Sequence, residues 1–330
     1  MDALAATFDE IRDAYALGRR DAPRRVSERV WHLPTDSGGG VAVKLYASEH
    51  HPRAAKEAAV LAHFETHGDA RFHVQTLKRT TSGEPLWTGQ GSHAMLTRWE
   101  TGQFRTYDTF SPAEWDALGA SLAALHLSLE HLHLPLDTIR ARLTAIDADA
   151  VRRSLLDALN HARSNDNAAN LRRYVDLALR MLDRYHPGSI DAFPADDPQH
   201  PIHNDYNQFN YRFTGTLPPL ILDWEASIGA PREYELVRCL NHLPLEAPQL
   251  AAAFVRGYRR VRPVNPARIA WAVDAACVQH ALKLWIVQGW LDDPSCFASH
   301  LNGAVTMASA MVGARGHLVD FFSRCTEAGT

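Results

Sequence analysis

The stretch PIHNDYNQFNYRF, residues 201–213, has polar side chains at a spacing that could do chemistry. It contains His203, Asp205 and Asn210 among residues that favour strands. Further along the chain, the apolar run LILDWE places Asp223 where a buried strand would end. Carboxylates can accept protons, and carboxylate and amide oxygens bind hard cations. The segment therefore indicates a catalytic or metal-binding site.

Two charged residues upstream extend this pattern. Lys44 lies in the strand-like run VAVKLY, and Glu57 lies in the helical stretch AAKEAAVLAHF. Only four of the 34 basic residues are lysines, so arginine is the usual cation of this chain. A lysine inside an apolar strand is therefore a candidate for a specific role.

Phosphoryl transfer from ATP requires this set of residue types. A strand lysine held by a carboxylate can neutralise phosphate oxygens, which suits Lys44 and Glu57. Magnesium prefers oxygen ligands, which suits Asn210 and Asp223. The attacking hydroxyl needs a proton acceptor, and Asp205 is the candidate base.

An alternative interpretation of the same segment is a metal site. The run HPIHND places His200, His203 and Asp205 in close order, and imidazole and carboxylate are common ligands of transition metals. This alternative explains neither Asn210 nor Asp223, so the phosphoryl-transfer interpretation is preferred.

The elements that must position these residues change in type along the chain. RVWHL and VAVKLY predict a hairpin, and a helix and two further strands follow, so a small, mainly antiparallel sheet is expected in the first hundred residues. From residue 101 the pattern is helical. Ser111, Pro112 and Glu114 form the signature of a capping box. Further helices are predicted at residues 149–162, 168–185, 247–260 and 266–290.

Composition excludes several classes of protein. The chain has 330 residues and a formal charge of -4, so it has no general electrostatic attraction for nucleic acid or an anionic membrane. No apolar stretch is long enough to span a membrane. The four cysteines form no C-x-x-C pair. We expect a cytoplasmic protein that binds neither nucleic acid nor membrane, and the sequence leaves the oligomeric state open.

Together these segments resemble the aminoglycoside phosphotransferase and choline kinase family. The resemblance covers VAVKLY, AAKEAAVLAHF, AMLTRWETGQ, LGASLAALH, HNDYNQFN and LDWE, and the last two are the most specific. It implies an α+β, two-lobed, protein-kinase-like fold. Residues 1–98 would form the nucleotide-binding lobe with an antiparallel sheet, and 97–103 the hinge. Residues 104–330 would form a helical lobe with the catalytic loop, the metal site and the acceptor pocket.

The family's residue roles can be transferred position by position. The resemblance implies that Asp205 is the base, that Asn210 and Asp223 bind Mg²⁺, and that Lys44 binds ATP with Glu57 as its partner. It further implies a bracing role for His203, and contacts from backbone groups near Thr97 to Trp99 to adenine.

The sequence departs from the family pattern in three places. Asn204 stands where the family has glycine, and asparagine tolerates unusual backbone angles. The phosphate-covering loop RRVSERVW has no glycine, which suggests that Arg29 could supply phosphate contacts. The usual Gly-Asp-Pro appears as residues 229–231, Gly-Ala-Pro, with Glu235 as the stand-in for the acidic residue.

The resulting prediction is an ATP- and Mg²⁺-dependent kinase that phosphorylates a hydroxyl group of a small molecule. The alternative is a catalytically idle, kinase-like nucleotide-binding protein. Amino alcohols, hydroxy amino acids, sugars and aminoglycosides all remain candidate acceptors. Four glutamates could favour a cationic acceptor, or could be ordinary surface charge: Glu225, Glu233, Glu235 and Glu246.

Overall fold

A computed structural model describes the chain over residues 3–18, 21–36, 39–89, 91–162, 168–185, 199–215 and 218–327. These residues form two compact units. The first comprises residues within 1–136 and 203–227, and the second comprises residues within 137–202 and 228–330. The predicted division into lobes of 1–98 and 104–330 does not coincide with these units and stays a prediction.

The first unit is built on an antiparallel sheet. Its strands are β1 (Arg24–Arg25), β2 (Val30–Leu33), β3 (Val41–Ala47), β5 (Leu77–Lys78), β6 (Trp87–Gly89) and β7 (Ser92–Arg98). They pair in the order β1-β2-β3-β7-β5, and β6 also pairs with β7. The predicted hairpin is confirmed, because β2 and β3 pair antiparallel with Val30 opposite Lys44.

The two faces of β3 have different roles. Val41 and Val43 are buried in an apolar cluster with Phe8 and Ile11 of helix α1 (Ala3–Ala14). Because side chains alternate along a strand, Lys44 lies on the opposite face. Packing of the apolar face against α1 therefore fixes the side from which the lysine projects.

Helix α2 (His51–Phe64) follows β3 and buries one face. Glu57 is fully buried on that face, in a stripe with Ala54, Leu61 and Phe64. An isolated buried carboxylate is costly, so its position requires cationic or hydrogen-bonding partners.

A second, small sheet includes the strands that follow the His203–Asn210 segment and precede Asp223. Strand β10 (Leu220–Ile221) pairs in parallel with β4 (His73–Val74) and antiparallel with β9 (Tyr211–Arg212). The N–H of Leu222 also donates to the carbonyl of Asn210 (3.0 Å). This pairing holds the residues that follow β10 beside those that precede β9.

Helix α3 (Pro112–Ser128) begins at the predicted capping box. The Ser111 hydroxyl accepts from the N–H of Glu114, and the Glu114 carboxylate accepts from the N–H of Ser111. The capping prediction is confirmed. The OH of Tyr206, next to Asp205, donates to the carbonyl of Leu118 in this helix (3.1 Å).

The chain between β7 and α3 passes close to β9. Gly102 has a φ of +149°, and a Cβ atom there would lie 2.6 Å from the carbonyl oxygen of Phe213. Gln103 and Phe213 exchange two backbone hydrogen bonds of 2.9 Å. Glycine is therefore required at this close approach.

The second unit is mainly helical. Its elements are α4 (Ile139–Thr144), α5 (Ala148–His161), α6 (Ala169–Tyr185), β8 (His200–Ile202), β11 (Ile228–Ala230), α7 (Arg232–Leu240), α8 (Leu243–Glu246), α9 (Pro248–Val261), α10 (Ile269–Ala281), α11 (Leu284–Asp292), α12 (Pro294–Gly313) and α13 (Arg315–Glu327). Strands β8 and β11 pair antiparallel. The helices predicted at 149–162, 168–185 and 247–260 are confirmed within one residue at each end.

The single helix predicted at 266–290 is wrong. A 3₁₀ turn precedes α10, and the chain breaks between α10 and α11 at Leu282 and Lys283. The OH of Tyr174 in α6 donates to the carbonyl of His280 (3.2 Å) and accepts from the N–H of Lys283 (2.8 Å). A side chain distant in sequence therefore satisfies the backbone groups that the break exposes.

Among the described residues, no helix is both long and apolar enough to cross a membrane.

Candidate active site

Lys44 is the centre of an ion-pair cluster in the first unit. Its Nζ lies 2.8 Å from Glu57 Oε2, 2.7 Å from Asp223 Oδ1 and 3.4 Å from Glu225 Oε2. The lysine side chain is 12% exposed and that of Glu57 is 1% exposed, whereas that of Asp223 is 40% exposed. The structure therefore brings together Lys44, Glu57 and Asp223, which sequence analysis selected. Of these three side chains, that of Asp223 is the most exposed.

Glu57 has its two oxygens fully used. Oε2 accepts from Lys44 and from the OH of Tyr46, and Oε1 accepts from the N–H of Trp224 (3.2 Å). Burial, followed by the negative charge of Glu57, raises the pKa of Tyr46 far above its usual value, so this phenol stays a donor. Tyr46 shares a face of β3 with Lys44, and sequence analysis missed it although the strand alternation places it there.

The charge state of Lys44 follows from its neighbours. Burial alone would lower the pKa of Lys44, but the carboxylates of Glu57, Asp223 and Glu225 outweigh burial and raise it to about 12. The lysine is therefore a permanent cation at physiological pH.

Two asparagine amides hold the Asp205 carboxylate. Asn207 Nδ2 donates to Asp205 Oδ1 (2.8 Å), and Asn210 Nδ2 donates to Asp205 Oδ2 (2.8 Å). Each amide also donates to the Asp205 carbonyl, at 3.1 and 2.9 Å respectively. The sequence motif identified Asn210 but missed Asn207. The only sequence signal for Asn207 was that it is a second asparagine, three positions before Asn210.

The hydrogen bonds of Asn210 also define what its side chain can offer a metal. The partners of its Nδ2, the Asp205 carbonyl and carboxylate, are both acceptors, so the amide must present nitrogen to them. Its oxygen is then the atom that can serve as a metal ligand.

His203 supports the backbone of the same loop. Its Nδ1 accepts from the N–H of Asp205 (3.2 Å), so its Nε2–H donates to the carbonyl of Leu222 (2.9 Å). Asn204 adopts a φ of +66°, the left-handed conformation that asparagine tolerates in place of glycine. Its Nδ2 donates to the carbonyl of Ala226 (3.0 Å).

Asp223 has a left-handed backbone as well, with a φ of +65°. A non-glycine residue in this conformation stores strain, and such residues cluster at functional sites. The strain is compatible with a role for Asp223 that needs this side-chain direction.

A cavity of 510 Å³ opens beside these residues within the first unit. Its polar lining includes Lys44, Asn210 and Asp223, and its apolar lining includes Leu220 and Leu222. The volume is in the range of small-molecule and cofactor sites.

Both residues predicted near adenine, Thr97 and Trp99, line this cavity. The N–H of Trp99 donates to the carbonyl of Gly40 (3.1 Å), so this group is already used within the sheet. The Trp99 ring packs between His32, with ring centroids 4.4 Å apart, and the Arg212 guanidinium, 5.0 Å from its centroid.

The carboxylates at this site are grouped around Lys44 Nζ. Among the described residues, only one group of three acidic, histidine or cysteine side chains is close enough to share an ion, namely Glu57, Asp223 and Glu225, whose ligand atoms lie within 4.8 Å of one another. They share the Lys44 ammonium, and Asp223, the most exposed of the three, offers the kind of carboxylate oxygen that Mg²⁺ prefers. The alternative site at His200, His203 and Asp205 is not among the groups found, and both ring nitrogens of His203 are hydrogen-bonded.

Glu225 has partners that sequence analysis did not identify. It accepts two hydrogen bonds from Arg29, at 3.0 and 2.7 Å, so its carboxylate already has a cationic partner within the protein. Burial alone would raise the pKa of Glu225, but the bonds from Arg29 and the charge of Lys44 lower it to about 2.

The other three glutamates differ in burial and in partners. Glu233 is buried and accepts from the N–H of Asn265 (2.9 Å). Glu235 is buried too, and Glu246 is 64% exposed and lies 3.3 Å from His242 Nε2.

Similarity to known proteins agrees with the predicted family. A sequence model described as "APH: Phosphotransferase enzyme family" matches residues 20–272 of the chain. No curated protein matches.

Solved structures share the fold over almost the whole chain. An amicoumacin kinase has a TM-score of 0.67 at 12% identity, with 95% of this chain and 94% of that chain covered. The spectinomycin phosphotransferase APH(9)-Ia gives 0.65 at 12% identity, covering 94% and 99%. A microcompartment-associated aminopropanol kinase gives 0.61 at 18% identity, covering 97% and 100%. The predicted α+β, kinase-like fold is confirmed, and the chain belongs to the phosphotransferase enzyme family.

Proposed function

We propose that this phosphotransferase transfers the γ-phosphoryl group of Mg²⁺-ATP to a hydroxyl group of a small polar molecule. The observation that supports it most strongly is the meeting of Lys44, Glu57 and Asp223 at one cavity with Asn210, whose amide holds the Asp205 carboxylate. Lys44 is a fixed cation with one buried and one partly exposed carboxylate partner. Family membership supplies the class of reaction.

Asp205 is the proposed catalytic base. The acceptor oxygen attacks the γ-phosphorus, the bond from that phosphorus to the bridging oxygen breaks, ADP leaves, and Asp205 takes the hydroxyl proton. The two asparagine amides fix the carboxylate before substrate arrives, so its orientation costs little during the reaction.

Lys44 is the proposed phosphate ligand, with Glu57 as the residue that positions it. Glu57 is held by Tyr46 and Trp224 as well, so it cannot follow the lysine if a phosphate draws the lysine away from Asp223. The cavity backbone around Thr97 and Trp99 is the proposed adenine-binding region.

Asp223 and Asn210 are the proposed ligands of Mg²⁺, through a carboxylate oxygen and the amide oxygen. When bound, the ion would neutralise phosphate charge and orient the triphosphate. The partial exposure of Asp223 leaves its carboxylate accessible for this role.

The acceptor is proposed to be a small molecule rather than a protein. The similar solved structures include an amicoumacin kinase, a spectinomycin phosphotransferase and an aminopropanol kinase. We infer the same broad class of acceptor, an alcohol on a small polar molecule, and assign its recognition to the helices of residues 137–202 and 228–330.

The test is release of ADP from Mg²⁺-ATP across amino alcohols, hydroxy amino acids, sugars and aminoglycosides. Acceptor-dependent release that falls about 10²–10⁴-fold in Asp205→Asn supports the proposal, because general bases contribute on that order. Asp108→Asn, at an exposed turn, is the matched control and should match the wild type. Full activity of Asp205→Asn would remove Asp205 from its role.

The second candidate is a kinase-like protein that binds nucleotide without turnover. It is favoured by the glycine-free hairpin, two of whose backbone N–H groups donate within the hairpin. Mg²⁺-ATP binding without acceptor-dependent release over the whole panel would favour this candidate.

A further inference from the structure

The hairpin of β1 and β2 uses two of its backbone N–H groups internally, unlike a glycine-rich phosphate-binding loop. The N–H groups of Val26 and Ser27 both donate to the carbonyl of Val30, at 2.8 and 3.1 Å. Phosphate-binding loops offer unpaired backbone N–H groups. With two of them used internally, a side-chain donor is needed at this edge of the cavity.

Arg29, at the end of this hairpin, is a donor in the right place. It lines the same cavity as Lys44 and Asp223, and its side chain is 37% exposed. A guanidinium has five N–H groups. Two of them donate to Glu225, and within the described part of the chain the guanidinium has no other hydrogen-bond acceptor. Three N–H groups therefore remain for a ligand.

Glu225 holds the side chain of Arg29 in place, as Glu57 holds that of Lys44. Its side chain is 15% exposed, it binds both terminal nitrogens of Arg29, and its Oε2 lies 3.4 Å from Lys44 Nζ. One carboxylate therefore holds the arginine at a fixed distance from the phosphate-binding lysine. A planar guanidinium held in this way suits phosphate oxygens, which it can bind with two parallel hydrogen bonds.

We propose that Arg29 is a second ligand of the nucleotide phosphates, positioned by Glu225. In this phosphotransferase it takes the role that a glycine-rich loop would otherwise have. The inference rests on the proposed function, because it assumes that the cavity binds a nucleotide. It assigns to Arg29 the contacts that backbone N–H groups would otherwise make. Glu225 is a positioning residue in this scheme.

Binding of adenosine, ADP and ATP tests the phosphate contact directly. Calorimetry in the presence of a chelator keeps metal binding out of the comparison. Arg29→Gln should weaken ADP and ATP binding at least about tenfold, as expected for loss of a charge-assisted hydrogen bond, and leave adenosine binding within about twofold. Arg29→Lys should recover part of the loss, because it keeps the charge and loses the fork.

Arg24→Gln is the matched control. It removes the same charge from an exposed position of the same hairpin that does not line the cavity. Its ADP affinity should match that of the wild type. Equal weakening of ADP binding by Arg24→Gln and Arg29→Gln would show that only the net charge of the protein matters, and would overturn the inference. Unchanged ADP binding by Arg29→Gln would overturn it as well.

A double-mutant cycle tests the role of Glu225. Glu225→Gln should weaken ADP binding in the wild type and have no further effect when Arg29 is already glutamine. An equal loss in both backgrounds would show that Glu225 does not act through Arg29, and would overturn the positioning role.

The outcomes separate this inference from the proposed function. Wild-type protein that binds neither ADP nor ATP in the presence of Mg²⁺ contradicts the proposed function itself. Wild-type protein that binds both, with Arg29→Gln binding them equally well, contradicts only the role of Arg29.

Discussion

The Nζ of Lys44 lies 2.7 Å from the Oδ1 of Asp223, although 179 residues separate them in the chain. One is the proposed phosphate ligand and the other the proposed metal ligand. Their direct contact places the ammonium and the carboxylate that would meet the triphosphate at one point of the cavity. Substitution of each residue in turn measures its contribution to nucleotide binding.

Asp223→Asn should abolish the dependence of nucleotide affinity on magnesium. The amide is a weaker metal ligand, so ADP affinity with Mg²⁺ should fall at least about tenfold towards the metal-free value. Calorimetric titration of ADP with and without Mg²⁺ measures this. Asp205→Asn should keep the magnesium dependence, and an unchanged magnesium dependence in Asp223→Asn would count against Asp223 as a ligand.

Glu57→Gln should lower the free energy of unfolding by about 1–3 kcal/mol, because buried donors lose a charged acceptor. Lys44 keeps Asp223, which limits the loss. Urea denaturation checks this value. The surface pair of Glu65 with Arg79 supplies a control, since Glu65→Gln should change stability little. Equal effects of the two substitutions would contradict the buried role of Glu57.

The stability that Glu225 provides should depend on pH. Its pKa is lowered to about 2, against about 4.3 in an unfolded chain, so its contribution is present above about pH 4.3 and is lost as the pH falls towards 2. The difference in Tm between wild type and Glu225→Gln should therefore shrink from pH 6 to pH 3. Glu49→Gln, at an exposed position, is the control. A constant difference between wild type and Glu225→Gln would contradict the assignment.

Tyr174→Phe should destabilise the second unit by about 1–3 kcal/mol, because it removes the hydroxyl that bonds both backbone groups at the break between α10 and α11. Urea denaturation gives the stability. Amide hydrogen exchange should become faster at Lys283, while the N–H of Asp293, bonded to Gly289, serves as the internal reference. Unchanged exchange at Lys283 would show that the hydroxyl is not what stabilises the break.

Local patterns predicted those features whose cause lies within a few residues. The capping box at Ser111 and Glu114 was predictable because both partners lie in one turn of a helix. The run VAVKLY predicted the strand that carries Lys44. The break at Leu282 was not predictable, because it follows no glycine or proline and its stabilising partner, Tyr174, lies on another helix.

The sequence by itself determined which residues are available for chemistry: a lysine in an apolar strand, a glutamate in the helix that follows it, and Asp205, Asn210 and Asp223 at a recognisable spacing. Only the tertiary structure decided which groups orient them. Asn207 holds Asp205, Tyr46 holds Glu57, and Arg29 pairs with Glu225 across 196 residues of chain. Long-range ion pairs and hydrogen bonds depend on how distant strands and loops pack, and no local periodicity records that packing.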